Sequence, residues 1–139
     1  MGLTVREFPE GTRTATEAAR AVGCEVGQIV KSLVFTAAGK PVVALVSGAN
    51  RVDERRLGAV AGEPVAKAGA EAVRAATGYA IGGVPPFGHA TDVPVFMDRD
   101  LLGHSRLWAA AGRPDSVFEI SPERLRELSS AMVVDLKAT

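Results

Sequence analysis

The sequence is poor in most of the features that would announce a function by themselves. It holds one cysteine, Cys24, in 139 residues, which excludes an internal disulfide framework and fits a reducing compartment. That cysteine follows Gly23 at an expected helix end and reads as a packed thiol, not a nucleophile. Two histidines and scattered carboxylates show no metal-ligand spacing, so neither a metal site nor a cofactor is expected. Net charge is absent too: sixteen basic side chains balance sixteen acidic ones, so any contact with nucleic acid must be local. The apolar runs fall far below the roughly 20 residues needed to cross a bilayer. The first residues lack the basic segment and apolar run of a signal peptide. A cytoplasmic protein without a membrane partner is the expectation.

What is present suits one domain over residues 1–139, with 47% hydrophobic and 23% charged residues. Leu3 to Phe8 alternates as a short strand. Thr14 and Glu17 form a capping box for a helix that Gly23 closes. A strand over Gln28 to Phe35 is followed by a turn at Ala38–Pro41 and a hairpin partner, Val42 to Val46. Asp53 can cap a helix carrying Leu57 and Val60, and Pro64 to Lys67 reads as a small strand. A helix follows over Ala70 to Ala76, then a strand over Val93 to Met97. Leu107–Ala110 and Val117–Ile120 flank a second hairpin turn. Ser121-Pro122 starts a last helix, and Ala131 to Leu136 returns as a strand. Strands outnumber helices and often sit in hairpins. The fold class is therefore α+β, with a mixed, mostly antiparallel sheet and flanking helices.

Two stretches stand out chemically. In the strand Gln28–Phe35, Ile29, Lys31, Leu33 and Phe35 share one face, so a lysine sits mid-strand on apolar surface. An unpaired ammonium there is costly. Either Lys31 reaches an edge or a carboxylate, or it works at the mouth of a pocket. The second stretch, Thr77 to His89, sets Gly82-Gly83 before Pro85-Pro86. Glycine permits close approach and proline holds shape without a donor. The result is either a rigid cradle of backbone N–H groups for a carbonyl or phosphate oxygen, or a tight connector. Its glycine spacing misses both nucleotide fingerprints. His89 beside it is a candidate acid–base group.

Three segments in order carry a resemblance: Thr12–Ala19 leading into Gly27–Phe35, then Thr77–His89, then Val95–Asp98 followed by Trp108–Gly112. Together, from about Phe8 to Leu136, they closely resemble the YbaK-like family of prolyl-tRNA synthetase-associated domains. The resemblance implies an α+β domain and freestanding aminoacyl-tRNA deacylase activity, which hydrolyses the ester joining a wrong amino acid to the tRNA 3′ end. The family's functional lysine matches Lys31, its glycine-rich loop matches Gly82 to Gly88, and its later aspartate matches Asp98. Phe8 and Thr14 match pocket-lining positions. Alanine-editing members tend to carry a histidine near the place of Phe118, and cysteine-editing members differ at the place of Pro85. The amino-acid preference therefore does not carry over.

The chemistry expected of these residues is modest, because an aminoacyl ester is already activated. Lys31 with the Gly82 and Gly83 amides would form the catalytic group, the amides serving as an oxyanion hole. Phe8, Thr14, Val84, Pro85, Pro86, Gly88, His89 and Asp98 would line the substrate site. Asp98 would pair with Lys31, bind the substrate ammonium, or cap a turn. Arg51, Arg55 and Arg56 form either a local phosphate contact or a solvated helix face. Expected partners are mischarged tRNA and an aminoacyl-tRNA synthetase, with a homodimer as the default assembly. A non-catalytic module that binds the aminoacyl or nucleotide end is the alternative function.

Overall fold

The computed structural model describes residues 5–7, 14–81, 83–113 and 115–138. Among them three of the four α-helices open on the caps that the sequence offers. Thr14 Oγ1 accepts the Glu17 N–H and the Glu17 carboxylate accepts the Thr14 N–H, each at 3.1 Å, which opens α1 (Ala15–Val22). The Asp53 carboxylate takes the Arg55 and Arg56 amides at the start of α2 (Glu54–Ala61). Helix α3 spans Ala70–Thr77, and Ser121 with Pro122 begins α4 (Pro122–Ser129).

Eight strands among the described residues make one sheet: β1 (Val5–Glu7), β2 (Ile29–Ala37), β3 (Lys40–Ser47), β4 (Val65–Lys67), β5 (Val95–Asp98), β6 (Leu107–Ala110), β7 (Ser116–Ile120) and β8 (Met132–Val134). Their order is β1-β7-β6-β2-β3-β5-β8, with β4 also against β2. The pairs β1–β7, β2–β3, β2–β4 and β6–β7 are antiparallel, and β2–β6, β3–β5 and β5–β8 are parallel. The fold is thus α+β with a mixed sheet, as expected.

Local differences have local causes. Strand β5 starts at Val95, not Val93, because Pro94 lacks an N–H and offers only its carbonyl, which accepts from Val43 N at 2.9 Å. Strand β8 stops at Val134 because the Leu136 N–H turns to the Asp98 carboxylate at 2.9 Å. Short 3-10 turns at Val26–Gln28 and Arg99–Gly103 occupy stretches without a helical signal in the sequence.

Alternation along the strands sorts the core into two layers. Val30 and Val34 of β2 join Val43, Leu45 and Met97 under α3 and α4, through Val73 and Leu125. On the opposite face Phe35 and Ala37 join Ala44, Val46 and Phe96 under Leu57 of α2. Further along that face Ile29 packs with Ala18 and Ala19 of α1 in a separate small cluster. Lys31 lies between Ile29 and Leu33, at the seam between the cover supplied by α1 and that supplied by α2. This seam makes room for a charged side chain on an otherwise apolar face.

Candidate active site

The two edges of β2 are unlike. Strand β3 pairs with it at every position from Val30 to Ala37. On the other edge β6 pairs only with Ile29 and Val30, and β4 only with Phe35, Thr36 and Ala37. Neither ladder includes residues 31–34. A cavity of about 660 Å³ opens at this gap and reaches both faces of the sheet. Lys31, Leu33, Arg51 and Thr14 line it from the α1–α2 side. Ser32, Val73 and Val84 line it from the α3 side.

Lys31 is half-buried, and its Nζ donates to the Asn50 carbonyl at 2.6 Å. Burial pushes its pKa below the usual lysine value, and the nearby Arg51 guanidinium pushes the same way. None of the six ion pairs among the described residues includes Lys31, Arg51 or Lys67, all of which line the cavity. Among the described residues Glu54 is the one carboxylate on that lining. The cavity mouth is therefore cationic and suited to an anion such as a phosphate. Small side chains on the walls, among them Ala15, Ala18, Ala109 and Ala110, keep the space open. Gly48 also lines it, and a Cβ there would lie 2.6 Å from Val26 O and 2.7 Å from Ala15 Cβ, so the close approach of α1 requires glycine.

The sequence pattern of the aminoacyl-tRNA editing domain family matches residues 9–128. The chain belongs to that family. It is 32% identical over 130 residues to the uncharacterized protein YwhH of Bacillus subtilis (strain 168), across 93% of this chain and 83% of YwhH. Against the proline–tRNA ligase of Maridesulfovibrio salexigens it is 33% identical over 107 residues, 76% of this chain but only 18% of the ligase. The chain thus spans about a fifth of the ligase's length. The crystal structure of a candidate trans-editing enzyme for prolyl tRNA synthetase superposes with a TM-score of 0.94 at 51% identity, covering 99% of this chain and 87% of that one. The hypothetical protein APE2540 superposes at 0.91 with 32% identity, over 99% and 93% of the two chains.

In this editing domain the expected site residues do not all meet. Lys31, Thr14 and Val84 line the cavity. Thr14 does so while its hydroxyl caps α1. Phe8 and Gly82 lie outside the described residues. Gly83 is placed, but its N–H donates to Ala80 O at 3.0 Å, closing a turn. An amide so engaged is not an open oxyanion donor, and the next two prolines have no N–H to offer. The described part of the loop, residues 83–89, is anchored at several points. Pro85 and Pro86 are buried, Ala90 N bonds Thr77 O at 2.9 Å across its neck, and Phe87 meets Phe118 edge-on at 5.7 Å. Phe118 is itself buried in the main core, and its neighbour Val117 faces the cavity.

His89 and Asp98 are placed away from the chemistry that the sequence suggests for them. His89 Nε2 bonds the Pro85 carbonyl at 2.7 Å and, with Gly88, lines a different cavity, between the loop and the end of α4. It locks the loop and does not face Lys31. Asp98 makes no ion pair with Lys31. Fully buried, it accepts the Leu136 N–H at 2.9 Å and the Asn50 side-chain amide at 3.5 Å. Asn50 also donates to Asp100 at 2.9 Å. Asp98 therefore reaches Lys31 only through Asn50, whose carbonyl holds the ammonium. Sequence reasoning passed over Asn50, since a turn-forming Asn after a strand carries no mark of this second task.

The remaining candidates divide cleanly. Of the arginine trio, Arg51 is at the cavity, whereas Arg56 is held by Asp53 and Asp135, and Arg55 lies almost fully exposed beside Asp53. Cys24 is half-buried against α1, and burial raises its thiol pKa. No cluster of three or more His, Cys, Asp or Glu among the described residues could hold a metal ion. No helix among them is long and apolar enough to cross a membrane.

Proposed function

We propose that this editing domain is a trans-acting aminoacyl-tRNA deacylase, a cytoplasmic hydrolase that removes the amino acid from mischarged tRNA, of tRNA-Pro or a related species. The observation that carries the reading is a lysine without a carboxylate partner, held by the Asn50 carbonyl in a cavity at a break in the sheet. The kinship with proline–tRNA ligases and the likeness to a candidate trans-editing enzyme support the same substrate class. A synthetase as partner and a single domain over residues 1–139 belong to the same proposal.

In the reaction the water oxygen adds to the ester carbonyl carbon and the bond to the ribose oxygen breaks. The ribose oxygen takes one proton from that water, the other proton passes to solvent, and the amino acid leaves as its carboxylate. Lys31 serves as a charge that holds a terminal phosphate or polarises the ester. Attack by its amine would leave a stable amide and stop turnover. His89 does not line this cavity, so the neighbouring ribose hydroxyl is the group at hand to activate water.

The test is single-turnover deacylation over a panel of mischarged tRNAs, with wild type beside Lys31→Ala. Loss of charged positioning should slow hydrolysis by at least about 100-fold, the scale for removing one electrostatic stabiliser, with the melting temperature held. Near-normal turnover in Lys31→Ala would refute the assignment. Tight binding without hydrolysis of any member would favour a module that recognises the aminoacyl end without cleaving it.

A further inference from the structure

Two buried side-chain oxygens among the described residues lack a hydrogen-bond partner: Ser32 Oγ and Asp115 Oδ1. The second belongs to a carboxylate whose other oxygen is held by Arg113 at 3.0 Å. Ser32 has no such relief, and it lies in the gap of the β2 edge, on the cavity lining.

Its backbone points the same way. The Ile29 carbonyl accepts from Gly48 N at 2.7 Å on the β3 side, which sets the phase of the antiparallel ladder. Odd residues of β2 therefore exchange bonds with β3, and even ones face the opposite edge. The Val34 carbonyl on that edge is taken by Ala68 N at 3.1 Å, and Val30 lies within the β6 ladder. Ser32, between them, turns its main-chain N–H to the gap in that edge and lines the cavity, with its hydroxyl oxygen buried and unpartnered at the wall. A buried hydroxyl without a partner is a cost that folded proteins rarely leave standing without a reason.

We infer that Ser32 is the substrate-binding residue for the acyl end of the ester: its hydroxyl and main-chain N–H donate to the ester carbonyl oxygen, the role the engaged Gly83 amide does not fill. No covalent bond to Ser32 forms; water remains the nucleophile. This rests on the deacylase reading for its substrate, but on the cavity alone for its geometry.

The experiment compares Ser32→Ala and Ser32→Thr with wild type by three readouts. The first is thermal unfolding. The second is binding of non-hydrolysable amide-linked glycyl-, alanyl- and seryl-adenosine, against adenosine with no acyl group. The third is single-turnover hydrolysis of whichever mischarged tRNA the wild type cleaves. Ser32→Ala should melt at or above the wild-type temperature, since no protein hydrogen bond is lost. It should bind the acylated analogues about tenfold more weakly, the scale of one hydrogen bond, leave adenosine binding unchanged and slow hydrolysis by at least that factor. Ser32→Thr, which keeps the hydroxyl, should recover most of both. Unchanged analogue binding in Ser32→Ala would overturn the inference, and so would a lowered melting temperature, which reports a structural partner. A wild type that cleaves no tRNA refutes the deacylase reading, while analogue binding still decides the role of Ser32.

Discussion

The two edges of β2 divide the work of this molecule. The edge toward β3 is continuous from Val30 to Ala37, and β3 contributes Val43, Ala44, Leu45 and Val46, all with 0% exposure. The edge toward β6 and β4 is interrupted at residues 31–34, and there the cavity, the cationic Lys31 and the orphaned Ser32 hydroxyl are found. One strand thus supplies the packed centre through one edge and presents polar groups to a cavity at the other. Interrupting a ladder exposes backbone and side-chain polar groups to a ligand without unravelling the sheet, because the opposite ladder holds the strand in place.

The largest expected effect breaks the closed edge. Leu45→Ala removes a fully buried side chain from the layer under α3 and α4, and such truncations cost about 2–5 kcal/mol. Urea unfolding should show that loss, while the fraction still folded keeps its hydrolytic rate. A cost below about 1 kcal/mol, outside the usual range for such truncations, would mean that the β3 edge is not the stable centre. Ser32→Ala, on the open edge of the same strand, should show the reverse pattern: stability kept, acyl binding weakened about tenfold.

A smaller effect is expected at Asp98, which joins the two regimes. Its carboxylate pins the Leu136 N–H and reaches Asn50, which in turn holds Lys31. Asp98→Ala should cost about 1.5–3 kcal/mol, the range for hydrogen bonds to a charged group. It should also slow deacylation less than Lys31→Ala does, because the lysine is loosened and not removed. Full loss of turnover at unchanged stability would instead place Asp98 in direct contact with substrate.

Much of this architecture was legible in the sequence because it is local. The Thr14–Glu17 box, the Asp53 cap, the hairpin around Gly39 and the alternation that sets Lys31 on an apolar face are all read within a few residues. What was not legible is set by distant pairings. The parallel partners of β2, β3 and β5 lie far along the chain, and the gap at residues 31–34 exists only because β6 and β4 stop on either side of it. For Asp98 the sequence leaves open a lysine partner, a ligand for the substrate ammonium and a turn cap, because the fold's 38-residue reach to Leu136 leaves no local trace. His89 looked like an acid–base group because nothing in its neighbourhood reveals that its ring closes the loop onto Pro85.

The smallest expected effect concerns the charge on Lys31 and sharpens the contrast between edges. Burial and Arg51 lower its folded pKa below the unfolded value of 10.5. At pH below the folded pKa both states hold the proton, and the charged form disfavours the native state by a constant amount. Between the two pKa values the unfolded chain binds more protons than the folded one, so native stability rises with pH. Wild type should therefore gain stability relative to Lys31→Met as pH climbs toward 10.5, with the difference flat at neutral pH. Paired urea titrations of the two proteins at pH 7 and near the alkaline limit of solubility measure it. Lys31 is only half-buried, so solvent screening keeps the change small. A difference that falls with rising pH would mean that the folded protein favours the charged lysine through a partner, and that the open edge is less open than its geometry indicates.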